Sequence, residues 1–280
     1  MKPVRILTIA GSDSGGGAGI QADLKTITVL GGFGMSVITA LTAQNTLGVH
    51  GIHDVPPAFV AAQFDAVATD LGIDAAKTGM LATCEVLRVI AAKIRQYGIE
   101  KLVVDPVMVA KGGMSLIREE AKKTLVTELV PLAFVITPNI PEAEVLSGMR
   151  IETLSDMKEA ARIIRDLGAR HVVVKGGHLA GDAVDLLYDG REFRTFSTPR
   201  IATADTHGTG CTYSAAIATC LGRGMDVPGA VAEAKRYITE AIRCAWRVGE
   251  GHGPTNHLAP LFAAGTVEEA GRPEFWKTAD

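Results

Sequence analysis

Cysteine, aromatic residues and excess charge are all scarce in this chain. Its 280 residues contain four cysteines and 5% aromatics, and its formal net charge is −3. Cys84, Cys211, Cys220 and Cys244 form no CxxC pair and no zinc-ligand spacing, and nothing like a secretory signal precedes the first apolar run. Reduced thiols and a cytoplasmic protein are therefore expected. Without a basic stripe or a stacking platform, a nucleic-acid partner is not expected. No apolar run approaches the roughly 20 residues that span a bilayer, which argues against a membrane partner. Internal repeats and linkers are missing too. With 47% hydrophobic residues, the length suits one large α/β domain. The core is expected over 1–264, with a polar, loosely held tail at 265–280.

Glycine loops at the ends of short β-rich runs are what the chain does have. The apolar run 4–10 feeds directly into Gly11-Ser-Asp-Ser-Gly-Gly-Gly-Ala-Gly19, followed by a helix at about 18–30. Strand, glycine loop, helix is how open α/β sheets build ligand sites at the carboxyl ends of their strands. Gly17 to Ala22 fits a relaxed GxGxxA dinucleotide fingerprint. The acidic residue required about 20 positions later is missing, however, which removes that reading. A Walker A loop is also absent.

Further strands are predicted at 34–42, 75–78, 101–104, 133–137 and 171–175. Helices are predicted at 57–71, 83–97, 118–129 and 157–167. Thr83 caps the second of these, and Thr153 to Asp156 form a capping box before the last. Asp189-Gly190 marks a hairpin between 183–188 and 192–198, and helices at about 211–222 and 228–248 follow. This alternation predicts a mainly parallel sheet covered by helices on both faces. The glycine-rich loop 107–115 suits a mobile flap as well as a plain connection.

The most informative stretch is Asp205-Thr-His-Gly-Thr-Gly-Cys-Thr212. A helix starting here aims unpaired N–H groups and a positive dipole end at the loop, which makes an anion site. Cys211 falls in the first turn, where that field is expected to lower its pKa, and His207 lies four residues earlier. Lys175 ends a strand beside Gly176-Gly177, well placed to neutralise a phosphate. Asn139 and Glu142 lie three apart at a helix start. They could hold magnesium through water, or simply cap the helix. Gln44 reaches the same sheet edge with both a donor and an acceptor, as a heteroaromatic ring would require, or satisfies its own turn.

Together, GSDSGGGAGIQADLKT, TAQNT, KTGM, DPVMVAKGG, TPNIPEAE, VVVKGGH, THGTGCTYSAAIA and GHGPTNH resemble the ribokinase-like small-molecule kinases. Within these, the chain resembles the hydroxymethylpyrimidine/phosphomethylpyrimidine kinases of thiamine biosynthesis over about residues 4–262. The resemblance implies a three-layer α/β sandwich with ATP across the carboxyl edge of the sheet. It also implies an anion hole at Gly208, Thr209 and Gly210, with Cys211 at the acceptor hydroxyl. Lys175, Gly177, Thr206 and Gly208 are the expected ATP contacts, and Asn139 and Glu142 the expected support for Mg²⁺. Gln44, Asp23, Met80 and Val107 are expected around a small pyrimidine. A homodimer is the expected assembly. Two positions depart from the family pattern: Gly112-Gly113-Met114 where a more polar flap is expected, and Asp205 where Asn or Lys is expected.

Three rivals stay open. A pyridoxal kinase or dual enzyme would share most of these residues. A thiol hydrolase would pair Cys211 with His207. A binding-only sensor would hold a pyrimidine without turnover.

Overall fold

The computed structural model describes residues 2–259 apart from 110–112, 178 and 180. The proposed tail and the middle of the expected flap, including Gly112, lie outside the described residues. The described strands are β1 (Arg5–Asp13), β2 (Phe33–Asn45), β3 (Gly48–Asp54), β4 (Ala75–Thr78), β5 (Leu102–Val104), β6 (Val135–Ile136), β7 (His171–Lys175), β8 (Ala183–Tyr188) and β9 (Phe193–Thr198). They form one nine-stranded sheet in the order β3-β2-β1-β4-β5-β6-β7-β8-β9. The run from β2 to β7 is parallel. β3 is antiparallel at one edge, and the β8–β9 hairpin is antiparallel at the other.

Every residue of β4 and β5 is buried, because a parallel strand is covered on both faces. One cover consists of α1 (Gly19–Val29), α7 (Thr209–Gly222) and α8 (Val227–Arg243), packed through Ile27, Ile217 and Tyr237. The other holds α2 (Pro57–Asp70), α3 (Cys84–Gln96), α4 (Glu119–Thr124), α5 (Ile140–Ser147) and α6 (Leu154–Asp166), packed through Phe64, Leu87, Ala121, Ala143 and Ile164. α3 shows why such helices form. Its buried Val86, Leu87, Ile90, Ala91 and Ile94 recur at helical spacing, and Thr83 accepts from Val86 N–H at the start. Each large aliphatic contributes about 1.5–3 kcal/mol by leaving water. By contrast, α7 is buried on nearly all sides, which suits a helix wedged between the sheet and its neighbours.

Several boundaries differ from the sequence-based expectation. Strand β3 was not anticipated. It is a mostly exposed edge strand, Gly-Val-His-Gly-Ile-His-Asp, without the alternation that signals a buried face. The helix expected to reach 248 stops at Arg243, because Trp246 and Val248 face outward and offer no buried stripe to continue it. The helix expected at 118–129 becomes α4 followed by a π-helical turn, Leu125–Leu129.

Sequence direction reverses at β1, with β2 on one side and β4 on the other. The carboxyl ends of β1 and β4 thus flank a crevice of the kind that receives ligands in open α/β sheets.

Candidate active site

Two glycine loops interlock above this crevice. Gly208 has φ +81° and caps α7 with no side-chain hydrogen bond. A Cβ there would collide with the carbonyl oxygen of Gly17 in the first loop, so only glycine permits the contact. Gly17 in turn has His207 against it: a Cβ would lie 2.5 Å from His207 Cδ2. The start of α7 has no side-chain cap, so its first N–H groups are left for the crevice. Thr206 shapes the approach by accepting at its carbonyl from Thr209 N–H and from Thr209 Oγ1 at 2.8 Å.

Below this end lie two lysine–aspartate pairs. Lys175 Nζ donates to Asp105 Oδ1 at 2.9 Å, and the lysine side chain stays partly exposed. A Cβ on Gly210 would lie 3.4 Å from Lys175 Nζ and 3.5 Å from Asp105 Oδ2, so the cation sits directly under the helix start. Thr137 and Ser214 hydroxyls complete the Asp105 carboxylate, each at 3.3 Å. The second pair is sealed. Lys77 Nζ donates to Asp23 at 2.8 and 2.9 Å, Thr8 Oγ1 donates to Asp23 at 2.6 Å, and both charged side chains are fully buried. Burial alone would lower the Lys77 pKa, but Asp23, helped by Cys211 and Asp105, raises it above its ordinary value. Asp23, expected to line the substrate pocket, is fully buried and is the counter-charge of Lys77.

Cys211, in the first turn of α7, lies close enough to both pairs to act on the charge of Lys77 and of Lys175. The expected lowering of its pKa by the helix field is overturned: burial pushes the thiol up to about 11 against the opposing pull of Lys77. The thiol is therefore protonated at neutral pH. The pairing of Cys211 with His207 is overturned as well. His207 Nε2 lies 2.9 Å from Asp13 Oδ2 and 3.3 Å from Gln44 Nε2, which commits the ring elsewhere.

Asn139 and Glu142 form a reciprocal capping box. Asn139 Oδ1 accepts from Glu142 N–H and Glu142 Oε2 accepts from Asn139 N–H, both at 2.9 Å. Asn139 is bridged to Lys175 across β6 and β7, so the box lies beside the open cation. Burial, with Asp105 adding to it, raises the Glu142 carboxyl to about 7 despite the pull of Lys175. No group of three or more His, Cys, Asp or Glu able to hold a metal directly occurs among the described residues. The donors present, Glu142 and Asn139 with Asp105 nearby, fit a hydrated magnesium ion approached through its waters.

Met80 packs its sulfur against Gly11, and its carbonyl accepts from Thr39 Oγ1 at 2.8 Å. Val107 lines a small cavity with Thr78, Gly79 and Asp105. Gly177 is exposed beyond Lys175, and its carbonyl accepts from Arg200 at 2.7 Å. Asp205, the departure noted above, accepts from Gly253 N–H at 2.9 Å and pairs with Arg247, tying the signature loop to the segment after α8. Sequence reasoning assigned no role to Asp13, Lys77 or Asp105. A lysine inside a buried strand and an aspartate ending one were the available signals, since neither is buried without a partner.

This geometry has relatives. The family model for phosphomethylpyrimidine kinase matches residues 13–256. The chain belongs to the phosphomethylpyrimidine kinase family. It is 60% identical over 254 residues to the thiamine biosynthesis bifunctional protein ThiED of Geobacter sulfurreducens, spanning 90% of this chain and 52% of that one. The chain thus spans about half the length of that bifunctional relative. It is 51% identical to the hydroxymethylpyrimidine/phosphomethylpyrimidine kinase of Bacillus subtilis, over 92% of this chain and 96% of the other. Among solved structures, an ADP complex of Bacillus subtilis pyridoxal kinase superposes with TM-score 0.87 at 42% identity, covering 92% of this chain and 99% of that one. Membership in this family confirms the ribokinase-like, three-layer architecture.

Proposed function

We propose that the protein transfers the γ-phosphoryl group of ATP to 4-amino-5-hydroxymethyl-2-methylpyrimidine and then to the resulting monophosphate, in thiamine biosynthesis. The observation that carries this reading is Lys175, held by Asp105 directly beneath the uncapped start of α7. A fixed cation and a set of helix N–H groups converge there, which is what a phosphoryl group in transfer requires. Gly208, Thr209 and Gly210 form the anion end, with Thr206 and Gly177 beside the nucleotide. Met80 and Val107 bound the acceptor side, where Gln44 meets the pyrimidine. Magnesium, held through water by Asn139 and Glu142, would neutralise charge between the ATP phosphates. Cys211, a neutral thiol in the ligand-free site, orients the acceptor hydroxyl. The second transfer needs no base, because its acceptor oxygen is already ionised near neutral pH.

The likeness to a pyridoxal kinase supports a second reading, an enzyme that also phosphorylates pyridoxal. A substrate panel with ATP and magnesium separates the readings: the hydroxymethylpyrimidine, its monophosphate and pyridoxal. Turnover of both pyrimidines is expected, and turnover of pyridoxal alone would overturn the primary reading. A single domain to residue 264 and a homodimer complete the proposal. Exposed Leu41, Leu47 and Ile52 on the β2–β3 hairpin support the homodimer, which light scattering in solution would test.

A further inference from the structure

Gln44 is held from several directions, and its partners dictate which way its amide must point. Its backbone is clamped to the first glycine loop: Ser14 Oγ accepts from Gln44 N–H and donates to Gln44 O, both at 2.8 Å. At the side chain, the amide nitrogen is placed 3.3 Å from His207 Nε2 and the amide oxygen 3.2 Å from Thr42 Oγ1. Both contacts call for the opposite polarity. His207 Nε2 lies 2.9 Å from Asp13 Oδ2, and that carboxylate already accepts from the N–H groups of Gly15, Gly17 and Ala18. An ionised carboxylate only accepts, so His207 Nε2 carries its one proton towards Asp13; with no lone pair left it opposes the Gln44 N–H₂ and favours the amide oxygen, to which the same N–H is the longer, shared contact. Thr42 Oγ1 has one proton, directed to the carbonyl of Ser12 at 2.9 Å. Towards Gln44 it can therefore only accept, which requires the amide N–H₂.

We propose that Asp13, His207 and Thr42 are positioning residues that lock the Gln44 amide with its oxygen towards His207 and its nitrogen towards Thr42. One lone pair and one N–H then remain for a ligand, in an order the protein has set. The inference rests on the reading that Gln44 meets the pyrimidine. An aminopyrimidine edge offers a ring-nitrogen acceptor beside an exocyclic N–H donor, which matches one order of the amide. The 4-oxo analogue reverses that pattern, with a ring N–H beside a carbonyl. A freely turning glutamine would serve both rings, whereas a locked one rejects the second because a buried polar pair is left unmatched.

The test compares kcat/KM for the 4-amino and 4-oxo forms of the hydroxymethylpyrimidine in wild type, His207→Phe and Thr42→Val. Phenylalanine keeps a ring over Gly17 without the donor, and valine keeps the shape of threonine without the acceptor. Wild type is expected to prefer the amino form by about 10²-fold or more. Each variant should lower that preference at least about tenfold, while the KM for ATP stays within about threefold. Folded variants that keep the wild-type preference would overturn the lock. Side-chain NMR of ligand-free protein gives a readout independent of turnover. In Thr42→Val the Gln44 amide protons should shift, since their acceptor is gone. A change confined to the Gln44 side-chain carbonyl would mean the reverse orientation and sink the proposal. A lock seen by NMR without pyrimidine turnover would instead remove the functional reading.

Discussion

Lys77 lies within β4 and Lys175 ends β7, with two strands between them in the same parallel sheet; each is paired with an aspartate, and both lie below Cys211 and the start of α7. Their surroundings divide them. Lys77 is sealed with Asp23 and Thr8, whereas Lys175 keeps an open side towards the crevice and shares it with Glu142. An ion pair without access to solvent or ligand can only hold the structure and set the field around it. One with an open face can exchange part of its partner for a phosphate. Access, more than residue type, separates a charge confined to a structural role from one that a ligand could reach.

The largest expected effect breaks the open pair. Lys175→Met should lower kcat by about 10³-fold or more, measured with saturating pyrimidine, even in fully folded protein; because Asp105 is itself buried, K175M/D105N should restore stability and leave that loss in place. Recovery of activity together with stability would erase the distinction drawn here. Lys77→Met should do the converse. Leaving Asp23 buried without its partner costs about 3–5 kcal/mol, read from urea unfolding. Replacing both members, as in K77M/D23L, should recover most of that loss, because an apolar pair needs no counter-charge. Failure of the double variant to recover would mean that the pair does more than balance charge.

Cys211 sits between the pairs, and Cys211→Ser sharpens which of them it serves. A thiol raised to about 11 is a poor source of thiolate at neutral pH. The ratio of the two single-turnover rates, onto the alcohol and onto the monophosphate, is therefore expected to stay within about threefold of wild type. A selective loss of about 10²–10⁴ in the alcohol step would restore a base role.

The smallest effect concerns Glu142 beside the open pair. Its carboxyl titrates near about 7 in the folded chain against an ordinary 4.5, so the folded state binds an extra proton between those values. Stability from this group is complete below pH 4.5 and is lost as pH rises through about 7. Glu142→Gln should flatten the fall in unfolding free energy across that window, and an unchanged slope would place the titration elsewhere.

The sequence made local features legible and left others hidden. Thr83, Asn139 and Thr153 cap helices as their spacing requires, because a cap is decided within four residues. The glycine loop before α7 was legible for the same reason. Lys77 with Asp23, Lys175 with Asp105 and His207 with Asp13 were not, since each pair is separated by 54 to 194 positions and made only by the sheet order. The pKa of Cys211 was misread because a helix start is visible in sequence and the burial around a thiol is not. The ion pair of Asp23 was hidden because its position in α1 says nothing about the lysine waiting below it.

The interlock of Gly208 on Gly17 bears on the order in which this protein can mature on the ribosome. The central parallel strands are complete by residue 175, yet Asp13 waits for His207, and His207 hydrogen-bonds onward to Gly253 and Thr255. A nascent chain can therefore build its sheet while both glycine loops still lack their partners. The hydrogen bonds that hold His207 from behind can form only when the segment around 253–255 emerges. Chains interrupted between α7 and that segment should keep much of the sheet and lose both halves of the site together.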